Sequence, residues 1–150
     1  MEEKQLKIKP ACIEDLSFAR GLVFSNMRQY YLAHEMDWSD TGFHRGWASS
    51  NGFIALVGAD RVGYFSVRFE PGFLYLNDMQ VLPEYRGQGI GSAMMQFIMD
   101  ELLDDEWSAI RLKVFNGNPA IRFYEKSGFI VAFSDHRFSG MEYKNAKAAR

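Results

Sequence analysis

The segment Val81–Met99, VLPEYRGQGIGSAMMQFIM, constrains the fold more than any other part of the sequence. Three glycines stand there at alternate positions, Gly87, Gly89 and Gly91, and an apolar run follows them at once. Glycine loses more backbone freedom on folding than any other residue, so glycines at the start of a helix need a physical reason. The first N–H groups of a helix lack internal partners and lie at the positive end of its dipole. The segment therefore predicts a strand, a turn and a helix whose N-terminus binds an anion.

The anion predicted at this turn is a phosphate group, and specifically a pyrophosphate. Its donors would be the backbone N–H groups of Gln88–Ser92, and the guanidinium of Arg86 would add a full positive charge. A nucleoside triphosphate loop requires a lysine after its last glycine, and the turn has none. A dinucleotide loop requires a glycine at the sixth position, which Ser92 occupies. The spacing therefore disfavours both of these phosphate sites.

Hydrophobic periodicity and turn residues predict elements in the order β-α-α-β-β-β-α-β-α-β-β. Short turns at Gly58–Arg61 and Glu70–Gly72 imply antiparallel neighbours, whereas the crossover around residues 81–114 requires at least one parallel pair. Asn118 is the expected N-cap of the last helix, ahead of Pro119. The order predicts a single mixed α/β (α+β) domain over residues 1–150.

Charge and cysteine content limit the classes of function. Seventeen Lys and Arg oppose nineteen Asp and Glu, a net charge of −2, which argues against nucleic-acid binding. Cys12 is the only cysteine and the histidines His44 and His136 are isolated, so we expect no metal site. The first ten residues are charged without the apolar core of a signal peptide. Since no apolar run approaches the ~20 residues that cross a bilayer, we expect a cytoplasmic protein without a membrane partner.

Two motifs carry a family resemblance. The segment VLPEYRGQGIG fits the pattern R/Q-x-x-G-x-G/A with Arg86, Gly89 and Gly91, and the segment NPAIRFYEKSGF covers residues 118–129. Together they resemble the GNAT superfamily of N-acyltransferases, with the second segment similar to the C-terminal helix and following strand of that family. The resemblance extends over nearly the whole chain. It implies a mixed, mostly antiparallel sheet of about seven strands with helices on both faces, whose fourth and fifth strands splay apart.

The resemblance implies acetyl-CoA as the cosubstrate that donates the acetyl group. Its pantetheine arm would bond to the backbone like an added strand, and its pyrophosphate would bind the amides of the glycine turn. Asn118 resembles the family asparagine that bonds this arm, but the usual N-x-x-A spacing is one residue longer, so Asn116 competes for the role. The implied donor-binding residues are Met79, Gln80, Val81, Arg86, Gly87, Gln88, Gly89, Ile90, Gly91, Ser92, Asn116 and Asn118.

Acetyl transfer to an amine requires a base for the amine and an acid for the leaving thiolate. The resemblance implies Tyr124 as that acid. The positions of the family's glutamate base hold Asn77 and Tyr75, neither of which is a carboxylate. Strict strand alternation puts Asp78 on the opposite face from both, where it is either the base or a structural acid. A water held by Asn77 and Tyr75, or a group of the loop at residues 34–40, is an alternative base.

Aromatic and acidic side chains share the loop that borders the acceptor in this family, and they suit a cationic amine. The expected acceptor-binding residues are Tyr31, Glu35, Trp38 and Tyr75, although a solvated acidic loop is an equal alternative. A homodimer, in which Phe138–Tyr143 joins the sheet of a partner, is left open.

The sequence therefore predicts an N-acetyltransferase that moves the acetyl group of acetyl-CoA directly to a primary amine in a ternary complex. The acceptor would be a small molecule or a peptide, and the catalytic residues would be Tyr124, Asp78 and Asn77. A non-catalytic acyl-CoA-binding or sensor domain of the same fold is the main alternative, followed by a nucleotide-binding regulatory domain.

Overall fold

A computed structural model describes residues 5–148; the first four residues of the charged N-terminal segment and the last two of the chain lie outside it. The order of elements confirms the predicted one. The strands are β1 (Leu6–Pro10), β2 (Asn51–Val57), β3 (Asp60–Glu70), β4 (Phe73–Val81), β5 (Ala109–Phe115), β6 (Ile130–Ser134) and β7 (Phe138–Lys144). The helices are α1 (Leu16–Ala33), α2 (Asp40–Ser49), α3 (Ile90–Phe97) and α4 (Ala120–Lys126), and a π-helical turn at Ile98–Leu102 extends α3.

Local signals set several of these boundaries. The hydroxyl of Ser39 accepts the N–H of Gly42 at 2.9 Å and caps α2. The side-chain oxygen of Asn118 accepts the N–H of Ala120 at 2.9 Å, the capping contact expected at the start of α4. Gly128 follows α4 with φ of +103°, a conformation that favours glycine and ends the helix.

The seven strands form one mixed sheet in the order β1-β2-β3-β4-β5-β7-β6. The strands β4 and β5 are parallel, and every other neighbouring pair is antiparallel. The edges of the sheet are therefore β1 and β6. The segment Phe138–Tyr143, for which the sequence leaves pairing with a partner's sheet open, forms β7; it is bonded on both sides and offers no sheet edge to a partner.

The parallel pair β4 and β5 separates after a short contact. Pairing covers only Phe73 with Ala109, Leu74 with Ile110 and Tyr75 with Arg111. Beyond these residues β4 continues to Val81 and β5 continues to Phe115, but the two strands no longer pair with each other. The predicted splay of the central strands is thus present.

Helices cover both faces of the sheet. One core lies between the sheet and the helices α3 and α4, and contains Phe65, Leu76, Ile110, Met94 and Tyr124 among others. The other core lies between the sheet and the helices α1 and α2, and its buried members are Ala19, Leu22, Val23, Phe43, Ile54 and Tyr64. We call these the α3–α4 face and the α1–α2 face.

A β-bulge interrupts β4 beside the splay. Ser66 pairs with Asp78, but the next residue, Val67, pairs with Leu76, so Asn77 is an extra residue in the ladder. The bulge shifts the alternation of side chains by one position. Leu76 and Met79 therefore both pack on the α3–α4 face, although they are three residues apart.

The bulge corrects the predicted orientation of Asp78. Tyr64, which packs on the α1–α2 face, pairs with Gln80, and the guanidinium of Arg68 lies 4.6 Å from the ring centroid of its partner Tyr75. Because paired residues share a face, Tyr75, Asp78 and Gln80 all point to the α1–α2 face. Strict alternation had placed Asp78 opposite Tyr75, and the extra residue removes that difference.

A buried carboxylate joins the first turn of α1 to the sheet. Asp15 is fully buried and accepts bonds from Lys9 at 2.8 Å, Arg61 at 2.8 Å and the N–H of Cys12 at 2.9 Å. Burial alone would raise the pKa of the Asp15 carboxyl, but these donors outweigh it and hold that pKa well below its usual range. The ionised form is therefore the stabilising one.

We predict that Asp15→Asn lowers the free energy of unfolding at pH 7 by about 2–4 kcal/mol, because two cations lose a buried partner. The native pKa lies below the unfolded value near ~3.9, so the stability is present above that pH and is lost as the pH falls further. Urea unfolding at several pH values measures this difference. Glu142→Gln, which breaks the 2.9 Å pair with the exposed Arg111, is the control and should cost less than ~1 kcal/mol.

Candidate active site

The divergence of β4 and β5 opens a cleft of about 1060 Å³ that runs between the two helical layers. One end lies against the glycine turn and the start of α3, and the other lies against α1, α2 and the loop between them. Leu76–Val81 form one wall and Leu112–Phe115 form the other. A ligand in the cleft could therefore bond to the strand edges of β4 and β5 where the two strands do not pair with each other.

The edge of β4 that faces the cleft presents backbone groups. The N–H of Leu82 donates to the carbonyl of Val62 at 2.9 Å, so positions 82, 80 and 78 direct their backbone groups toward β3. Met79 and Val81 then direct theirs toward the cleft. Consistent with this geometry, the carbonyl of Val81 accepts a bond from the side chain of Asn26 at 3.1 Å instead of from β3.

The glycine turn delivers free N–H groups to the other end of the cleft. Gly87 and Gly89 have φ of +76° and +80°, and added Cβ atoms would meet nothing within 4 Å, so backbone conformation rather than crowding selects glycine. The first bond of α3 runs from the N–H of Ala93 to the carbonyl of Gly89 at 3.0 Å. The N–H groups of residues 90–92 therefore have no partner inside the helix, as the sequence predicted.

Asn26 connects the glycine turn to β4, and sequence reasoning missed it. Its side chain is buried, donates to the Gln80 side chain and the Val81 carbonyl at 3.1 Å each, and accepts from Arg86 at 3.1 Å. This bonding fixes the guanidinium of Arg86 beside the cleft. The available signal was an asparagine four residues after Leu22 in the apolar stripe of α1, where a buried amide needs partners.

Asp78 is a half-buried carboxyl at the base of the cleft. Burial raises its pKa to about 7, and the side chain of Gln80 offsets part of that effect. Among residues 5–148 no cation forms an ion pair with Asp78. The group can therefore gain or release a proton near neutral pH.

Four tyrosines lie within electrostatic range of Asp78: Tyr31 of α1, Tyr64 of β3, Tyr75 of β4 and Tyr124 of α4. Burial is the largest cause of a raised pKa in each of them, and the charge of Asp78 raises each one further. The pKa of Tyr64 reaches about 12. All four hydroxyl groups therefore stay protonated at neutral pH and act as hydrogen-bond donors.

Tyr124 lies on α4 and lines the cleft while its ring packs beside Phe123 and Phe129. Within the described residues no side chain or backbone group bonds to its hydroxyl, which leaves that O–H free for a ligand. Asn77, the bulge residue, also lines the cleft. Its amide points to α2, since a Cβ at Gly46 would lie 3.6 Å from its Nδ2 atom.

The two asparagines that competed for the pantetheine arm occupy different places. The Asn116 side chain donates to the carbonyl of Asp135 at 2.7 Å and accepts from Ser139 at 2.7 Å, and it does not line the cleft. Asn118 lines the cleft and has its oxygen in the α4 cap, which leaves its NH₂ group toward a ligand. Gln88 also lies outside the cleft lining, with its side chain near the Glu84 carbonyl at 3.4 Å.

Aromatic rings build the wall at the α1–α2 end of the cleft. Trp38 packs edge-on against Tyr31, with centroids 5.6 Å apart, and Tyr31 packs against Phe115 at 5.3 Å. Tyr75 lines the same end, whereas Glu35 is exposed and does not line the cleft; its neighbour Asp37 does. The structure thus brings together three of the four expected acceptor-binding residues.

No group of three or more His, Cys, Asp or Glu side chains within residues 5–148 is placed to hold a metal ion. Over the same range, no helix has the length and the apolar character that a bilayer crossing requires.

The fold and the cleft are those of an acyltransferase family, and comparison with known proteins identifies it. The chain belongs to the acetyltransferase (GNAT) family, whose family model matches residues 21–129. A thialysine N-epsilon-acetyltransferase of Bos taurus is 43% identical over 56 residues, 37% of this chain and 33% of that protein. An N-alpha-acetyltransferase of Sulfurisphaera tokodaii is 35% identical over 92 residues, 51% of this chain and 54% of that protein. The matches thus span about a third to about half of the length of these curated relatives.

Solved structures show the same fold. The PaiA N-acetyltransferase of Thermoplasma acidophilum, crystallised with coenzyme A, has a TM-score of 0.75 at 19% identity, covering 93% of this chain and 99% of that one. A GNAT family acetyltransferase of Elizabethkingia anophelis with acetyl-CoA bound has a TM-score of 0.74 at 11% identity, covering 93% and 97%. Together these likenesses confirm the predicted seven-stranded GNAT fold.

We predict that Asp78→Asn raises stability in a pH-dependent way. The carboxyl has a native pKa of about 7 and an unfolded pKa near ~3.9, so both states are protonated below pH ~4 and the variant matches wild type there. As the pH rises from 4 to 7 the unfolded carboxyl ionises first, and the wild type loses stability. At pH 8 the variant should be more stable by about 1–3 kcal/mol, less than the full linkage value because the half-buried group is partly solvated. Equal stability of the two proteins at pH 8 would contradict the raised pKa of Asp78.

Proposed function

We propose that this protein is an N-acetyltransferase that binds acetyl-CoA in the cleft and transfers its acetyl group directly to a primary amine. One observation carries the proposal: β4 offers the unpaired backbone groups of Met79 and the unpaired N–H of Val81 on a line that leads to the free amides of the glycine turn. Pantetheine carries amides that pair with a strand edge, and the adjoining pyrophosphate suits a helix N-terminus beside Arg86. The fit needs no metal.

The residues proposed to bind acetyl-CoA line the cleft. The pantetheine arm pairs with Met79–Val81 and meets the NH₂ group of Asn118. The pyrophosphate takes the N–H groups of Ile90, Gly91 and Ser92, with Gly87 and Gly89 setting the turn. An N–H of the β4 edge polarises the thioester carbonyl and stabilises the oxyanion of the tetrahedral intermediate.

Asp78 is the proposed base. An alkylammonium has a pKa near ~10.4, so its neutral form costs roughly 4–5 kcal/mol at pH 7. A carboxylate whose pKa is about 7 accepts a proton from the amine, directly or through a water, and does so more effectively than an ordinary aspartate. Asn77 and Tyr75, beside it on β4, are proposed to hold that water.

Tyr124 is the proposed acid. The thiolate that leaves the tetrahedral intermediate takes the proton of the free Tyr124 hydroxyl, which is fully protonated at neutral pH. The negative charge of the neighbouring Asp78 opposes early loss of that proton. Once the amine has given its proton to Asp78, this opposition is removed, so acid and base act in sequence.

The proposed acceptor is a primary amine that enters between the aromatic rings of α1 and the loop before α2. Tyr31 and Trp38 provide faces for a cation, and Tyr75 lines the same cleft within electrostatic range of Asp78. The names of the two curated relatives, an N-epsilon- and an N-alpha-acetyltransferase, both describe amine acceptors and support this class.

We predict that Val81→Pro preserves the fold and weakens coenzyme A binding by about tenfold or more. The proline removes an N–H that faces the cleft and leaves the bonds to β3 in place, so a strand pair is lost only to the ligand. Calorimetric titration with coenzyme A measures the affinity, and circular dichroism checks the fold. In the control, Gln80→Pro removes an N–H that faces β3 and should unfold the protein at a lower temperature. Unchanged affinity in folded Val81→Pro protein would refute the proposed donor site.

We predict that kcat/KM for an accepted amine rises with pH through an ionisation near 7, because Asp78 must be ionised to act as the base. Asp78→Asn should lower kcat/KM by about 10²–10⁴ and remove this ionisation. Tyr124→Phe should reduce kcat more than coenzyme A affinity. Asp37→Asn changes an exposed carboxyl of the same cleft and should keep the ionisation.

A panel of small amines, polyamines and peptides, assayed for thiol release from acetyl-CoA, identifies the acceptor. Coenzyme A binding without thiol release on any member would favour the non-catalytic acyl-CoA-binding domain. The absence of a carboxylate at positions 75 and 77 is the observation that favours this second function.

A further inference from the structure

The hydroxyl of Ser66 is a buried polar group with no function in the account above. Ser66 is fully buried, and its Oγ atom has no hydrogen-bond partner among residues 5–148. A buried hydroxyl without a partner is destabilising relative to one that is satisfied. Such groups are rare in folded proteins and call for an explanation such as a bound water or a catalytic role.

The position of Ser66 in the sheet leaves two polar side chains beside its hydroxyl, those of Tyr64 and Asp78. On one side it pairs with Gly52 of β2, which has no side chain, and on the other it pairs with Asp78 of β4. The ring of Tyr64 lies over the glycine, since a Cβ at Gly52 would be 3.2 Å from it. Tyr64 therefore closes the β2 side, where contact with the Ser66 hydroxyl offsets part of the rise in the pKa of Tyr64, and the neighbouring side chain on the β4 side is Asp78.

Direct pairing places the two side chains within reach of a hydrogen bond. Side chains of directly paired residues have Cβ atoms about 4.5–5.5 Å apart and lie on the same face. A hydroxyl and a carboxylate on such positions meet directly after a rotation of either side chain, or through one water. The bulge at Asn77 creates this pairing, because it is the step in register that sets Asp78 opposite Ser66.

We infer that Ser66 is a positioning residue for Asp78: its hydroxyl donates to the ionised carboxylate, directly or through one water, and holds it toward the amine. This inference rests on the proposed role of Asp78 as the base. A donor to the charged form stabilises that form, so Ser66 keeps Asp78 ionised at a lower pH than burial alone would allow.

Other groups around Asp78 must be considered with it. Tyr31, Tyr64, Tyr75 and Tyr124 face it from α1, β3, β4 and α4, and Gln80 lies beside it on β4. The cations that line the same cleft are Arg45 of α2, Arg68 of β3, Arg86 of the glycine turn and Lys113 of β5, and Asp37 is the other carboxylate. Arg68 bonds to Glu70 at 3.1 Å. Ser66 differs from these groups because it is fully buried and in direct register with Asp78.

The test measures the Asp78 pKa without relying on activity. Carbon-13 NMR of aspartate carboxyl groups, with the Asp78 signal assigned from Asp78→Asn, gives that pKa in wild type and in Ser66→Ala. We expect Ser66→Ala to raise it by about 0.5–1 unit, because one donor to the charged form is lost. The melting temperature should fall by less than it does in the control below, because the wild-type protein makes this bond only to the ionised carboxylate. Ser66→Thr, which retains a hydroxyl, should restore the wild-type pKa.

Ser139→Ala is the matched control. Ser139 is also a buried serine, but its hydroxyl bonds to Asn116 at 2.7 Å, outside the cleft. This variant should lower the melting temperature and leave the Asp78 pKa unchanged. An unshifted Asp78 pKa in folded Ser66→Ala protein would overturn the inference, and so would a fall in melting temperature equal to that of Ser139→Ala.

Activity separates this inference from the proposed function. Where an amine is acetylated, Ser66→Ala should lower kcat/KM about threefold to tenfold at pH 6.5 and less than twofold at pH 8.5, because Asp78 is fully ionised at the higher pH. A shifted pKa with no acetylated amine supports the Ser66 contact and rejects the base. Turnover with an unshifted pKa rejects the Ser66 contact and leaves the proposed function standing.

Discussion

The loss of pairing between β4 and β5 beyond Tyr75 is the constraint on which the rest of the site depends. Buried backbone N–H and C=O groups require partners, and a strand that diverges from its neighbour leaves a row of them unsatisfied. The first residues of the parallel pair keep the sheet continuous, while Met79 and Val81 are left without a strand beside them. The cleft is therefore a gap in the sheet that a chain-like ligand can fill. Asn26 limits the gap, since it already bonds the carbonyl of Val81 and leaves a defined set of groups for the ligand.

The bulge at Asn77 is the second determinant of the site. It sets the orientation and protonation of Asp78 more than it shapes the cleft. Without the extra residue, Asp78 would point into the α3–α4 core, where an unpaired carboxyl would be strongly destabilising. With it, Asp78 lies at the base of the cleft among hydroxyl donors and opposite Ser66. One inserted residue thus turns a costly core carboxylate into a group that titrates near neutral pH. The same shift keeps Leu76 and Met79 in the core, so the rest of the sheet is packed normally.

The parts of the fold that the sequence predicted correctly are those with local causes. The element order, the cap at Asn118 and the glycine turn follow from periodicity, capping and backbone conformation within a few residues. The orientation of Asp78 was predicted wrongly, because a bulge is a property of two strands in register and leaves no local signature. Asn26 bonds to residues 54 to 60 positions away, and that partnership could not be read from either segment alone. The relation of Ser66 to the site depends on the same register.

In the proposed function, the donor side of the cleft consists of main-chain groups and the acceptor side of side chains, and this division would affect how the protein can diverge. Most substitutions at Met79 or Val81 leave the backbone N–H and C=O groups in place. Sequence changes at these positions are therefore tolerated when the new side chain still packs in the core. The aromatic wall has no such protection, and single changes at Tyr31 or Trp38 would reshape it at once. Under the proposed function, descendants of this sequence could exchange one amine acceptor for another and keep the same thioester donor.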